Sequence, residues 1–213
     1  MATYKQGITG AFSGTIGAVV GVNFRGANVI RTKPKKRTKD STPAQLVQQA
    51  KFAKVIDVLF PLKELLNTYF GTPEGTRSRY NLATSFHLRE AIKIENDTAV
   101  VLYNKMVFAL GTLLPVDNLQ CKNAPDATLL LTWKDNSPQA ITKTSDQLIA
   151  VVINPEAKSY YIFTSAATRA DTTATLVLPP SFIGQDVHVY VFMASEDGKI
   201  NSSSVYLGNI LIV

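Results

Sequence analysis

Cysteine is almost missing from this sequence. A single residue, Cys121, cannot close an internal disulfide, so the fold has to be held by burial and hydrogen bonding. The chain does not open with the basic residues, apolar run and small-residue cleavage site of an export signal, so cytoplasmic synthesis is expected. Acidic residues are missing from the N-terminal quarter. Residues 1–54 carry ten Lys/Arg and one acid, Asp40, a charge of +9, whereas residues 55–213 carry twelve basic and fifteen acidic side chains, a charge of −3. A segment this one-sided does not fold alone as a core; it reads as an arm whose partners lie outside its own domain.

A long apolar run is missing too. Residues 6–24 come nearest, because they hold no charge and Gly7, Gly10, Gly14, Gly17 and Gly21 recur at steps of three and four, the small-residue spacing of packed membrane helices. A span needs about 20 predominantly apolar residues. Gln6, Thr9, Ser13, Thr15 and Asn23 interrupt this one, and each glycine costs about 1 kcal/mol relative to alanine in a helix. No membrane span is expected. At 46% hydrophobic and 18% charged residues, the chain as a whole is globular rather than disordered.

Within the arm, residues 18–24 and 27–32 read as two short strands joined at Arg25-Gly26, with Val19, Val20, Val22, Val29 and Ile30 supplying β-branched side chains. A glycine-rich hairpin is weakly registered and has open edges, so another strand or another subunit is expected to complete it. Gly14, Gly17, Val20, Gly21, Phe24 and Gly26 are therefore the candidate assembly residues. The run that follows, Arg31, Lys33, Lys35, Lys36, Arg37 and Lys39 around Pro34, repels itself and stays extended. It reads either as a salt-sensitive strap for phosphates or an acidic protein surface, or as a solvated linker. No aromatic is interleaved, which argues against stacking on single-stranded bases.

Thr42-Pro43-Ala44-Gln45 opens a helix, with Thr42 as N-cap, Pro43 at the first helical position and Gln45 placed as in a capping box. Leu46, Ala50, Ala53, Ile56 and Phe60 give one apolar stripe at helical spacing. Pro61 should break or kink the helix; Leu62, Leu65, Leu66 and Tyr69 continue the apolar face until Gly71-Thr-Pro73 ends it. A second helix is expected over 77–92, with Leu82, Phe86 and Ile92 on one face. The resulting helical hairpin cannot bury both faces alone and should pack on neighbouring strands.

From Thr98 the texture changes to short β-branched and aromatic runs separated by turn clusters. Strands are expected near 98–103, 106–113, 127–134, 147–153, 158–164, 174–178, 186–194 and 203–212, a spacing that means a sandwich or barrel. Val187, Val189, Val191 and Met193 alternate with His188, Tyr190 and Phe192, and two faces this apolar imply a central strand.

Leu129-Leu-Leu-Thr-Trp133 resembles the second strand of a fibronectin type III or immunoglobulin-like domain with its core tryptophan. The 187–194 strand, followed by Glu196-Asp-Gly198 and Ser202-Ser-Ser-Val205, resembles the final hairpin. Gly14-Thr-Ile-Gly17, Val20-Gly21, Phe24-Arg-Gly26, Arg31, Pro34, the helix start at 42–52 and Trp133-Lys-Asp-Asn136 are similar to an uncharacterised family of Bacteroidetes-type proteins, a resemblance that implies architecture and no activity. The fold class expected is α+β, mainly β: a glycine-rich and basic arm over 1–41, a helical hairpin over 42–97, connecting strands over 98–114, and a sandwich over 115–213 that folds on its own around Trp133.

Catalytic chemistry is not legible. His87 and His188 stand a hundred residues apart, and Cys121 has no base beside it, so neither a metal cluster nor an activated nucleophile is expected. The glycines match no phosphate-loop or dinucleotide fingerprint, and Asp135, Glu156, Asp171 and Asp186 read as loop and turn acids. No cofactor is expected. Two classes of function remain. One is a non-enzymatic assembly protein that self-associates through the arm, alone or with other particle proteins, as in a phage virion. The other is a nucleic-acid-associated protein using the basic run.

Overall fold

A computed structural model of the chain describes residues 3–4, 12–24, 26–36, 40–75, 77–95 and 98–213. Two compact units emerge, Met1–Pro43 and Ala44–Val213.

The first unit is an antiparallel meander in the order β1 (Thr3–Tyr4), β2 (Phe12–Ile16), β3 (Val19–Phe24) and β4 (Ala27–Thr32). The two strands expected at 18–24 and 27–32 are present, with Phe24 opposite Ala27. The glycine-rich segment before them, which carried no strand assignment, supplies the neighbour β2, pairing Gly14 with Gly21 and Ile16 with Val19.

The second unit begins with α1 (Pro43–Leu59), which starts at the expected proline and stops before Pro61. Its buried residues are Val55, Val58 and Leu59, while Leu46 and Phe60 are exposed. The stripe expected to be buried is therefore the outer one. At 100° per residue the two sets fall on opposite sides of the helix, and periodicity alone does not rank two apolar faces. α2 (Lys63–Tyr69) carries Leu65 and Leu66 inward and ends before Gly71, whose φ of +58° reverses the chain. α3 (Arg79–Glu90) is capped by Ser78, whose side chain accepts from the Asn81 amide at 3.3 Å. It is shorter than expected: Ile92 opens the hairpin β5 (Ile92–Glu95) and β6 (Thr98–Val101) instead of closing the helix.

Residues 106–113 were expected as a strand and are not one. They form a thread shared between two neighbours: Leu110 exchanges backbone bonds with Tyr69 and Gly71, while Leu113 donates to the Asn201 carbonyl and Ser204 donates to that of Ala109. Met106, Phe108, Ala109 and Leu113 are buried and Val107 is half-buried, while Leu110 is exposed, so most of the apolar composition serves packing rather than a strand ladder. Gly111 is pressed on the 201 backbone so closely that an added Cβ would meet the Asn201 carbonyl carbon at 2.8 Å.

The remainder is the expected β-sandwich. One sheet has the order β11 (Thr173–Val177), β8 (Thr128–Lys134), β7 (Asp117–Ala124); the other has the order β10 (Ser159–Thr168), β9 (Gln147–Asn154), β12 (Asp186–Ala194), β13 (Val205–Leu211). β7 lies in a segment that carried no strand assignment. β12 is a central strand, as its two apolar faces implied. Val187, Val189, Val191 and Met193 enter the core between the sheets with Leu129, Leu131, Trp133, Leu148, Ala150 and Val152. The opposite face of the same sheet, Ile149, Val151, Ile153, Tyr190 and Phe192, meets Leu59, Leu62, Leu66, Phe70 and Phe108 in a second core under the helices. The unit thus has three layers, helices, sheet and sheet, and the middle layer is apolar on both sides because both sides are covered. β8, covered once, keeps the alternation of a half-buried strand, with Leu129 and Leu131 buried and Leu130 exposed. No helix among the described residues is long and apolar enough to cross a membrane.

Candidate functional site

Among residues 12–24 and 26–36 only Gly21 is buried, while Ile16, Val22, Phe24, Val29 and Ile30 are exposed, Phe24 by 55% and Ile30 by 64%. Of the residues singled out for assembly, Gly17 (φ +57°) and Gly26 (φ +85°) make the turns that join β2, β3 and β4, where a side chain would strain the backbone. Gly14 and Gly21 face each other across the β2–β3 ladder, and the Phe12 ring lies over Gly21, so that a Cβ there would meet ring carbons at 2.7 Å. An aromatic laid over a strand glycine restores the contact that glycine lacks. Val20 is half-buried and Phe24 projects outward. Phe12 carried no signal in the sequence, because its role depends on the β2–β3 register.

Arg31 pairs with Val20 at the end of β4, and Lys33, Lys35 and Lys36 follow; all four are exposed. Arg37 and Lys39, the other two cations of the run, lie outside the described residues, as do Gly7, Gly10 and Arg25.

Trp133 is buried and donates from Nε1 to the carbonyl of Arg169 at 2.9 Å. Arg169 is itself 0% exposed. Its Nε meets Asp146 Oδ2 at 3.1 Å, one terminal nitrogen meets Asn136 Oδ1, and the other donates to the Leu114 carbonyl at 2.9 Å. Nothing in the sequence flagged Arg169, since its partners come from three separate stretches of chain, at 114, 133–136 and 146.

The groups considered for chemistry are placed structurally. His87 is fully buried beside Phe70, Phe86 and Phe108. Its Nδ1 lies 2.7 Å from the Ala83 carbonyl, which can only accept, and its Nε2 lies 3.2 Å from the Val107 amide, which can only donate. The ring is therefore the neutral Nδ1–H tautomer, and burial lowers its pKa from 6.5 despite both bonds. A base whose folded pKa is depressed contributes stability that is complete above its unfolded pKa and is lost as the pH falls below it. Wild-type stability should accordingly decline from pH 6.5 downward, and His87→Gln should flatten that part of a denaturant-midpoint profile. Parallel profiles for the two proteins would refute this role.

His188 stacks on Tyr103 with centroids 4.2 Å apart, and its Nδ1 sits 2.8 Å from the Tyr206 hydroxyl. Burial pushes the Cys121 thiol up to about 11, which leaves it a poor nucleophile at neutral pH. Asp135 and Asp171 accept turn hydrogen bonds from Ser137 and Thr168, which hold both carboxyls below their ordinary value. Among the described residues no group of three His, Cys, Asp or Glu could hold a metal ion.

Residues 11–208 match a family described as "Family of unknown function (DUF6266)", and the chain belongs to that family. No curated protein matches it. Among solved structures it is similar to the twitchin kinase region from C. elegans, at 15% identity and a TM-score of 0.35 over 46% of this chain; it spans 16% of that one. It is also similar to the fn3 domain of human collagen alpha-1(XX) chain, at 13% identity and a TM-score of 0.35 over 47% of this chain and 85% of that one. A third likeness is to domains d3-d4 of the rat CD45 extracellular region, at 10% identity and a TM-score of 0.32 over 92% and 96% of the respective chains.

Proposed function

We propose that this chain is a non-enzymatic assembly protein, made in the cytoplasm, that self-associates through its N-terminal meander as a component of a larger particle such as a phage virion. One observation carries the reading: among residues 12–24, 26–36 and 40–43 no side chain is buried, yet Ile16, Val22, Val29 and Ile30 stand exposed on the strands. Fully burying each would contribute about 1.5–3 kcal/mol. Left exposed, these side chains forgo that stabilisation, and among the described residues β4 pairs on one side only, which leaves an edge that another strand can pair. A second copy brings the same apolar strands and the same edges, so a symmetric contact satisfies both.

Deleting residues 1–41 is expected to reduce the native mass seen by light scattering to that of a monomer while residues 44–213 keep a cooperative melt. An unchanged mass, or a full-length protein that is monomeric at high concentration, would overturn self-association through the arm. The exposure of Arg31, Lys33, Lys35 and Lys36 favours a second reading, a phosphate contact to nucleic acid. In that case the deletion leaves the mass unchanged and abolishes salt-sensitive binding to duplex DNA.

A further inference from the structure

All the residues of β4, Ala27–Thr32, are exposed, and among the described residues the strand pairs only with β3. Its backbone groups divide between two sides. Phe24 faces Ala27 across the turn, and the Lys33 amide donates to the Ala18 carbonyl at 2.7 Å, which continues the same register. In an antiparallel ladder alternate residues bond to the neighbouring strand. Ala27, Val29, Arg31 and Lys33 therefore bond to β3, while the amides and carbonyls of Asn28, Ile30 and Thr32 point out of the sheet. Natural edge strands are blunted by a proline, a bulge or a charge. Three outer strands of the sandwich show this: β7 breaks register between Asp117 and Gln120, β10 between Phe163 and Ala167, and β13 between Tyr206 and Gly208. β4 pairs with β3 from Ala27 to Thr32 without a break and holds no proline, and at its centre Val29 and Ile30 are 42% and 64% exposed.

We propose that β4 pairs antiparallel with β4 of a second copy about a two-fold axis at Ile30, joining the two meanders into one continuous sheet. This rests on self-association through the arm and names its edge and its register. With Ile30 opposite its own counterpart, Asn28 faces Thr32, and every outward amide and carbonyl of both strands is bonded. Moving the axis to Val29 sets Thr32 against Gly26 in the turn, and moving it to Arg31 sets Asn28 against Pro34, which has no amide to donate. Charge fixes the direction. A parallel pairing would lay Arg31 on Arg31 and one lysine run along the other. The antiparallel one lays the aliphatic stem of Arg31 over Val29 of the other strand. It also carries the two Lys33 side chains to opposite ends of the ribbon, about 20 Å apart at the rise of a strand, well beyond the ~8 Å screening length of physiological salt. Polar residues thus meet polar ones, Ile30 meets Ile30 and like charges part, so the strand that fits this edge is the same strand of a second copy.

The test follows the mass of the full chain by sedimentation equilibrium over a series of concentrations. The mass should be an even multiple of the monomer's, and Ile30→Pro should weaken the association about thirtyfold or more, because it removes one outward donor from each copy. The bonds to β3 survive that change, since the Ile30 amide points away from β3. A spin label checks the register without a proline. In a chain carrying Cys121→Ser, a nitroxide on Ile30→Cys sits at the axis, where facing backbones stand about 5.5 Å apart. Its spectrum should be strongly broadened by the second label and should sharpen when unlabelled chain is mixed in. The same label on Thr32→Cys, about 15 Å from its counterpart, should be broadened far less. A full-length chain that is monomeric, or that gains mass only with another protein present, overturns the pairing together with self-association. A mass that falls on deleting residues 1–41 but is unmoved by Ile30→Pro, or an oligomer whose labels at position 30 show no broadening, overturns the pairing alone.

Discussion

Arg169→Met is expected to lower the stability of the chain by about 3–5 kcal/mol, the cost of leaving one member of a buried ion pair without its partner. The pair lies at 0% and 1% side-chain exposure, so water cannot replace the lost cation for Asp146. Two other acceptors lose their donor at once, Asn136 Oδ1 and the Leu114 carbonyl, while the Trp133 Nε1 bond is kept because it ends on the backbone carbonyl of residue 169. Asp146 keeps one bond, from the Lys143 amide at 2.9 Å. Desolvation of two charges offsets most of their attraction, so the double variant Arg169→Met with Asp146→Leu should be more stable than Arg169→Met alone. Denaturant midpoints at one protein concentration measure both. A single variant that loses under about 1 kcal/mol would mean that the network contributes little, contrary to its burial.

A fragment of residues 115–213 is expected not to fold as a cooperative monomer, although it contains every strand of the sandwich. Removing residues 44–114 uncovers Ile149, Val151, Ile153, Tyr190 and Phe192, which are 0–2% exposed in the whole chain. At about 2 kcal/mol for each large side chain, the loss is on the order of 10 kcal/mol, comparable with the entire stability of a typical domain. The same cut breaks the Tyr190 hydroxyl bond to the Tyr103 carbonyl, 2.6 Å long, and leaves Phe192 without Tyr69. Differential scanning calorimetry of 115–213 beside 44–213 decides the matter. A sharp melt from the shorter fragment within a few degrees of the longer would show that the helices only decorate the sandwich.

The elements that were legible are those whose signal is local. The Pro43 helix start, the break at Pro61, the 24–27 hairpin and the β12 alternation each lie within a few residues of the features that encode them. The misassignments share one cause. The stripe through Leu46 and Phe60 has good helical spacing, yet Val55, Val58 and Leu59 are buried instead, because a helix that is apolar on two sides is turned by what it meets. The thread at 106–113 has strand composition because Met106, Phe108, Ala109 and Leu113 are buried, and it fails to be a strand because its backbone bonds divide between 69–71 on one side and 201–204 on the other. Of the candidate site, the assembly glycines and the basic run were readable as charge and turn chemistry. The Arg169 network was not, since Leu114, Asn136 and Asp146 reach that side chain from separate stretches of the chain.

By itself, then, the sequence determined a charge-segregated arm, a helix broken at Pro61 with a second helix after it, and a run of strands that must close into a sandwich around Trp133, since backbone propensity and binary pattern act over a few residues. Only the tertiary structure decided that one sheet is buried on both faces, that Arg169 sits desolvated among three other stretches of chain, and that Ile16, Val22, Val29 and Ile30 of the arm are exposed. Each of those depends on which distant surfaces exclude water from one another, and burial is a property of the packed chain, which no local window of sequence contains.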